Sequence, residues 1–398
     1  MSDRERIIVV GAGPTGLTCA LWLARYGVPV VIIDKSPTIP ADLRASTFHP
    51  PTLDMLNEFG ITEQLLALGE KAPEWQIRVH ETGEFVRFDL GILAGDTEHP
   101  YRLQCEQAKL NRVLHAELLK LDQAQVWFDA DVVGVSQHDD GVRVTVVRGG
   151  ERVELAGRYL IGADGAHSIV RPGVGIDFKG YMYPETLTLV VTPFDFRQHI
   201  AGLCNVNYTW RDGGNYSLLR VPGRWRVGSR LKEGESLEHI LSEKIVQERL
   251  HEICPKSGPF EIEARGHYRV HRRIAERFRR GRTVLIGDAA HLNDPQGGMG
   301  MNSGIHDAIN LAGKLRRVWH GESDSLLDRY ERQRRTIAAE FVQAEAEKLR
   351  AVVRERDPAS RNVRLKSLQE IARDPVKAKP FLLSTSMITS VRQAAAVA

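Results

Sequence analysis

The chain has 398 residues, 42% hydrophobic and 26% charged, which excludes a disordered or fibrous polymer and gives enough apolar material for more than one core. Its 54 basic against 51 acidic residues leave a net charge of only +3, too weak a field to select nucleic acid or an anionic membrane, so the expected partners are small molecules. The four cysteines, Cys19, Cys105, Cys204 and Cys254, are scattered with no CxxC pair, which argues for reduced thiols and against a disulfide framework or a metal site. The first apolar run stops at Gly11 and no run approaches a membrane span, so the expected location is the cytoplasm.

Ile7–Val10 predicts a first strand, followed at once by Gly11, Gly13 and Gly16 in the pattern G-x-G-x-x-G, with Pro14 and Thr15 inside it. Leu17, Ala20, Leu21 and Ala24 then recur at helical spacing, and Val30–Ile33 predicts the next parallel strand. Asp34, 18 residues beyond Gly16, is placed to accept ribose hydroxyls. Strand, turn, helix, strand and acid in register predict a dinucleotide site.

Arg44 follows in a polar loop and on its own reads as a surface cation. Pro50-Pro51 opens a predicted helix through Leu53, Leu56 and Phe59; Leu110, Leu114, Leu118 and Leu121 predict another over 104–121, with Gln104 at its start. The alternation of Val142, Val144 and Val146, then Val153 and Leu155, around Gly149-Gly150 predicts a meander over 130–158. It leads to a strand at 159–161 and the turn Asp164-Gly165. Between 179 and 267 the helical pattern largely disappears, and strand-like pieces at 187–191, 205–210, Tyr216–Val221 and 225–230 predict a separate antiparallel sheet.

The stretch 283–307 carries the densest signal. Its apolar run at 283–286 predicts a buried strand ended by Gly287, with Asp288 at the carboxyl end, where ligands of open α/β sheets gather. Gly297, Gly298 and Gly300 allow close backbone approach, and Ile305, Ala308, Ile309, Ala312 and Leu315 predict an amphipathic helix whose N-terminus favours negative charge. A charged helix over 326–350 and a helical tail over 363–398, broken at Pro375 and Pro380, follow.

Three separated motifs are therefore in hand: Gly11-x-Gly13-x-x-Gly16, Asp164-Gly165-x-x-Ser168 with Arg171, and Gly287-Asp288-Ala289-Ala290-His291 followed by Pro295 and Gly297-Gly298-Met299-Gly300-Met301-Asn302. Together, over about residues 5–340, they resemble the single-component FAD-dependent aromatic hydroxylases, the p-hydroxybenzoate hydroxylase-like, class A flavoprotein monooxygenases. The resemblance implies an α/β fold: a Rossmann-like FAD-binding domain (1–72, 101–178 and 268–340), an inserted antiparallel-sheet substrate domain (73–100 and 179–267) and a helical C-terminal segment (341–398). It implies non-covalent FAD held by Gly11, Gly13, Pro14, Thr15, Gly16, Asp34, Lys35, Arg44, Gln104, Asp164, Gly165, Asp288, Pro295, Gly298, Gly300, Met301 and Asn302. With only one glycine fingerprint, NADH or NADPH is expected to reduce FAD in a transient encounter. The resemblance then implies a flavin C4a-hydroperoxide whose distal oxygen passes to a phenolic or hydroxylated heteroaromatic ring. A homodimer is left open.

Two features depart from the family pattern: Asp34 stands where Glu is more frequent, and the segment Leu292-Asn293-Asp294 before Pro295 is more polar than usual. Pro295, His49 and Tyr216 are the candidate catalytic residues, with Tyr208, Arg220 and Arg226 as further residues able to bind or deprotonate a phenol, although tyrosines and arginines of strands are more often packing and surface residues. A flavin-dependent reductase or redox module without hydroxylation is the alternative. A flavin halogenase is a weaker one, because its W-x-W-x-I-P signature is missing and Trp225 is followed by Arg226-Val227.

Overall fold

The computed structural model describes residues 5–40, 45–231 and 235–398. Its first layer is a six-stranded sheet in the order Arg279–Arg280, Thr283–Leu285, Tyr159–Gly162, Ile7–Val10, Val30–Ile33, Ala124–Trp127. All but the edge pair formed by Arg279–Arg280 are parallel, and the central strands are buried along their whole length, as expected of near-continuous Val/Ile/Leu runs covered on both faces. The helices Pro14–Arg25 and Met299–Trp319 pack against each other beside this sheet, and the predicted meander forms Ala130–His138, Gly141–Arg148 and Glu151–Gly157, whose Val142, Val144 and Val146 join the same core.

A second, eight-stranded sheet runs His291–Leu292, Ala264–Ala275, Phe178–Thr192, Arg224–Arg230, Tyr216–Val221, Val206–Trp210, Glu74–Val79, Phe85–Asp89. It is antiparallel except where Val206–Trp210 lies parallel to Glu74–Val79, a strand that arrives from a distant part of the chain. Strand alternation gives this sheet two apolar faces. One carries Trp75, Ile77, Tyr208 and Trp210 against Leu349, Val353, Leu365, Leu382 and Ile388 of the C-terminal helices. The other carries Val190, Tyr216, Leu218, Trp225 and Val227 against Val246, Leu250 and Ile253.

Several elements differ from the sequence expectation. Gln104 ends the strand Arg102–Gln104, and the helix begins only at Gln107, running Gln107–Leu118; the strand forms because Thr47–Phe48 and Glu70–Ala72 pair on either side of it. The region read as strands also holds the helices Leu237–Ile240 and Glu243–Ile253, the second with its apolar residues at helical spacing among charges. The charged helix 326–350 is Ser325–Ile337 and Gln343–Val353 joined by a π-helical turn, Ala338–Val342. Pro375 starts a helix, but Pro380 lies inside it: the proline is exposed, so the carbonyl of Val376 that loses its partner can turn to water. All four cysteines are unpaired and buried. Among the described residues no helix is long and apolar enough to cross a membrane.

Candidate active site

The three motifs meet at the carboxyl ends of the parallel strands. A Cβ on Gly11 would lie 2.3 Å from the Ala163 carbonyl oxygen and 2.9 Å from Asp164 Cα, and Gly11 has φ +105, so only glycine lets the first loop close on the Asp-Gly turn. The Thr15 hydroxyl fills the space beside Gly287 and Gly304, where added Cβ atoms would come within 2.8 and 2.4 Å of it. Asp34 accepts the backbone N–H of Ala12 at 2.7 Å through one oxygen and that of Ser36 at 2.8 Å through the other, which fixes the loop and leaves each oxygen a second lone pair. Lys35 beside it is exposed.

These residues fit the adenosine diphosphate half of FAD. The helix Pro14–Arg25 starts at Gly13 with no side-chain cap, so its first N–H groups and dipole are free for a pyrophosphate, and a Cβ on Gly13 would meet nothing within 4 Å. Asp164 uses one oxygen to accept the Ile169 and Val170 N–H groups at 2.7 and 3.0 Å; its other oxygen is buried and has no partner. Gly165 follows at φ +77. Asp288 stands exposed beyond the strand Thr283–Leu285.

The second half of the site is built on the loop from Pro295 to Gly300. Pro295 begins a short turn, Gln296–Gly298, in which Gly297 and Gly298 take φ +83 and +68; a Cβ on Gly298 would lie 3.0 Å from Thr47 Cβ. The helix Met299–Trp319 again begins without a side-chain cap. Gly300 sits in its first turn, Met301 packs into the core, and Asn302 is fully buried. Asn302 donates to the carbonyl oxygens of Thr47 and Gly298 at 2.8 and 2.7 Å and accepts the His49 N–H at 2.9 Å. Gln104 donates to the Thr47 hydroxyl at 3.1 Å. His49 sits 2.7 Å through Nε2 from the Gly297 carbonyl, which makes Nε2 the protonated nitrogen and leaves Nδ1 a buried lone pair without a partner. Burial and the nearby Arg102 charge hold this imidazole well below its usual pKa, so it is neutral and a weak base.

Two buried networks hold the motifs in place, one on Arg171 of the Asp-Gly motif and one on Asp307 and Arg334, which sequence reasoning did not single out. Asp307 accepts from Arg334 Nε at 2.5 Å, from the Gly287 N–H at 3.0 Å, and lies 2.8 Å from His291 Nε2. The opposing cation and these bonds overcome its burial and bring its pKa down to about 2. Arg171 donates to the carbonyl oxygens of Ala289 and Ala166 at 2.9 and 3.2 Å and lies over the Phe178 ring, tying the Asp-Gly turn to the Gly-Asp stretch. An Asp and an Arg in helices carry no spacing signal for such a role; only the fold brings Arg334 to Asp307.

The large sheet supplies the remaining wall. The registers Leu187 with Arg230 and Tyr268, Val191 with Arg226, Ser217 with Gly228, and Tyr208 with Ser217 put Tyr208, Arg226, Arg230 and Tyr268 on one face. Tyr268 keeps 40% of its surface open, yet burial pushes its phenol pKa up, with Arg226, Asp294, Arg230 and Tyr208 around it. Both hold if its open side lines an internal cleft. Asp294, next to Pro295, meets the same face: its Oδ2 lies 3.0 Å from Arg350 Nε and 3.6 Å from an Arg230 nitrogen.

Not all candidates come together. Alternation turns Tyr216 to the opposite face, where its hydroxyl meets His80 Nδ1 at 2.9 Å under the helix Glu243–Ile253; it does not border the cleft. Arg220 pairs with Glu70 at 2.8 Å. Arg44 lies outside the described residues. Asp54, Glu98 and His99 form a metal-compatible cluster, but Asp54 already meets the Thr97 hydroxyl at 2.6 Å and His99 Nδ1 at 2.7 Å.

Residues 4–345 match the family model described as FAD binding domain. The chain is 34% identical over 379 residues to 6-hydroxy-3-succinoylpyridine 3-monooxygenase HspB of Pseudomonas putida (strain DSM 28022 / S16), covering 94% of this chain and 95% of that protein. It is 32% identical to para-nitrophenol 4-monooxygenase of Pseudomonas sp. (strain WBC-3), covering 98% of each. The crystal structure of p-nitrophenol 4-monooxygenase PnpA from Pseudomonas putida DLL-E4 superposes with a TM-score of 0.91 at 29% identity, over 98% of both chains. The chain belongs to the FAD-binding-domain family of single-component aromatic monooxygenases. It is an FAD-dependent enzyme that hydroxylates a phenolic or heteroaromatic compound with NAD(P)H and oxygen.

Proposed function

We propose that the substrate is a compact hydroxylated ring, a phenol or hydroxypyridine, bound between the Tyr208/Tyr268 face of the large sheet and the loop from Pro295 to Gly300. The observation that carries this reading is the shared face of Tyr208, Arg226, Arg230 and Tyr268 on the large sheet, where Tyr268 keeps 40% of its surface open with Asp294, next to Pro295, among the groups around it. Bound FAD would supply the redox chemistry, taking two electrons from the nicotinamide and delivering one atom of oxygen to the ring. Everything else falls to the chain. The bare start of Met299–Trp319 favours negative charge beside it. Gly297 and Gly298 let a planar ring approach without side-chain obstruction, and Asn302, Thr47 and Gln104 fix that backbone.

In this reading residues 1–72, 101–178 and 268–340 hold the flavin, and 73–100 with 179–267 form the substrate part. The segment 341–398 packs on the substrate sheet, which supports treating it as part of the pocket wall. Pro295 acts by shape and His49 as an anchor, because a neutral, weakly basic imidazole is a poor proton acceptor. The unpaired thiols favour the cytoplasm.

The test is a panel of phenols and hydroxypyridines, including 4-nitrophenol, given to the FAD-loaded protein with NADH or NADPH. Faster nicotinamide oxidation with an oxygenated ring as product is expected. Nicotinamide oxidation with no oxygenated product from any ring would favour the reductase alternative.

A further inference from the structure

Arg102 is 1% exposed, and no carboxylate of the described residues pairs with it. Its Nε and Nη1 have no hydrogen-bond partner, Nη2 reaches the Thr385 carbonyl oxygen only at 3.5 Å, and the side chain that bonds to the guanidinium is the Tyr208 hydroxyl, not a carboxylate. A guanidinium removed from water without a counter-charge is an expensive arrangement, so this one calls for an anion. Polar atoms around it lack partners too. The Trp75 ring lies 5.1 Å beneath the guanidinium and its Nε1–H is buried without a partner. Ser386, next to Thr385, is fully buried and its hydroxyl also lacks one. The Tyr208 hydroxyl, the Cys204 thiol and His49 are the titratable groups beside Arg102; burial pushes the thiol up and the imidazole down, so both stay neutral, and no carboxylate stands among these groups. Tyr208 joins this nest to the cleft, and His49 places it one side chain from Gly297.

We infer that Arg102, with the Trp75 and Ser386 donors, forms an oxyanion subsite for the aromatic substrate. The oxyanion is either the ring's own phenolate oxygen or a carboxylate carried by the ring. This rests on the aromatic-hydroxylase reading of the cleft and adds what that reading lacks, a way to hold an electron-rich ring without a basic side chain. A phenol enters as its anion, leaving its proton in water, and the buried cation keeps the charge on oxygen. No bond is made or broken in the step.

The probes are 4-nitrophenol, 4-hydroxybenzoate and the neutral 4-hydroxybenzamide, titrated into the FAD-loaded full chain; visible absorption separates nitrophenol from nitrophenolate. Bound 4-nitrophenol is expected to ionise at a pH about one unit or more below that of the free compound. Arg102→Gln should weaken binding about 10- to 100-fold with FAD content unchanged, the loss expected for a hydrogen bond to a charged group. Equal weakening of all three probes assigns the ring oxygen to the subsite; weakening of 4-hydroxybenzoate alone assigns the carboxylate. If Arg102→Gln does not retain FAD, the double variant Trp75→Phe with Ser386→Ala decides, and unchanged binding there overturns the subsite. Probes that bind and are hydroxylated, ionise as in water and ignore Arg102→Gln overturn the subsite alone. Failure of all three to bind overturns the hydroxylase reading of the cleft as well.

Discussion

Asn302 and His49 stand 253 residues apart and meet in one hydrogen bond, the His49 N–H donating to Asn302 Oδ1 at 2.9 Å. The same amide spans to the Thr47 and Gly298 carbonyls, so one buried side chain sets the distance between the glycine loop and the strand Thr47–Phe48. Asn302→Ala leaves those partners buried and unpaired. The expected cost is about 1–3 kcal/mol of stability, with weaker FAD retention. Thermal unfolding with and without added FAD checks both.

Gly298→Val places a branched side chain where Cβ alone would lie 3.0 Å from Thr47 Cβ, at a φ of +68 that valine resists. The loop must shift away from the position the ring system needs. Nicotinamide oxidation is expected to continue while hydrogen peroxide replaces hydroxylated product. Measuring nicotinamide consumed, peroxide and aromatic product in one reaction decides it; full coupling would remove Gly298 from the site.

Tyr216→Phe tests the face assignment. The hydroxyl bonds His80 beneath the helix Glu243–Ile253, away from Tyr208 and Tyr268. Turnover and coupling should stay within about twofold, with a stability loss of about 0.5–1.5 kcal/mol. A loss of product formation with stability intact would put Tyr216 back among the reacting groups.

Acid should destabilise the protein in a defined window. His306 is buried and lowered from 6.5 to about 3, and His49 is lowered well below 6.5. The unfolded chain takes up these protons near pH 6.5 while the folded one refuses them, so stability falls as pH drops from 6.5 towards 3, by about 1.4 kcal/mol per pH unit for each histidine. Asp307 adds a loss lower down: its carboxylate contributes above its ordinary value of 3.8 and that contribution fades as pH falls through about 2. His306→Gln, which can keep a bond to the Thr52 hydroxyl, should make the slope between pH 6.5 and 4 shallower. Urea midpoints across that range measure it.

The sequence displayed the parts of this molecule that depend on neighbours in the chain. Gly11 to Gly16 with Asp34 is legible because strand, turn and helix follow at fixed spacing, and Gly297 to Gly300 because glycines cluster where backbone must approach closely. Tyr216 shows the limit: alternation says that it and Leu218 share a face, but the partner of that face, Val246 and Leu250, comes from a helix that the sequence hid among charges. Gln104 read as a helix start because pairing with Thr47 is invisible to periodicity. Arg102 gave no signal at all, since the absence of a counter-ion is a fact of three dimensions.

The four buried cysteines have a chemical consequence. Burial pushes Cys105 up to about 12 and Cys204 up to about 11, and raises Cys19 and Cys254 as well, so each sulfur stays a protonated thiol at neutral pH. Oxidation to a sulfenic acid starts from an accessible thiolate. A flavoenzyme that meets an ill-fitting ring releases its oxidant close to its own core; with every cysteine held as a buried protonated thiol, this chain can sample poor substrates repeatedly while its thiols stay unoxidised.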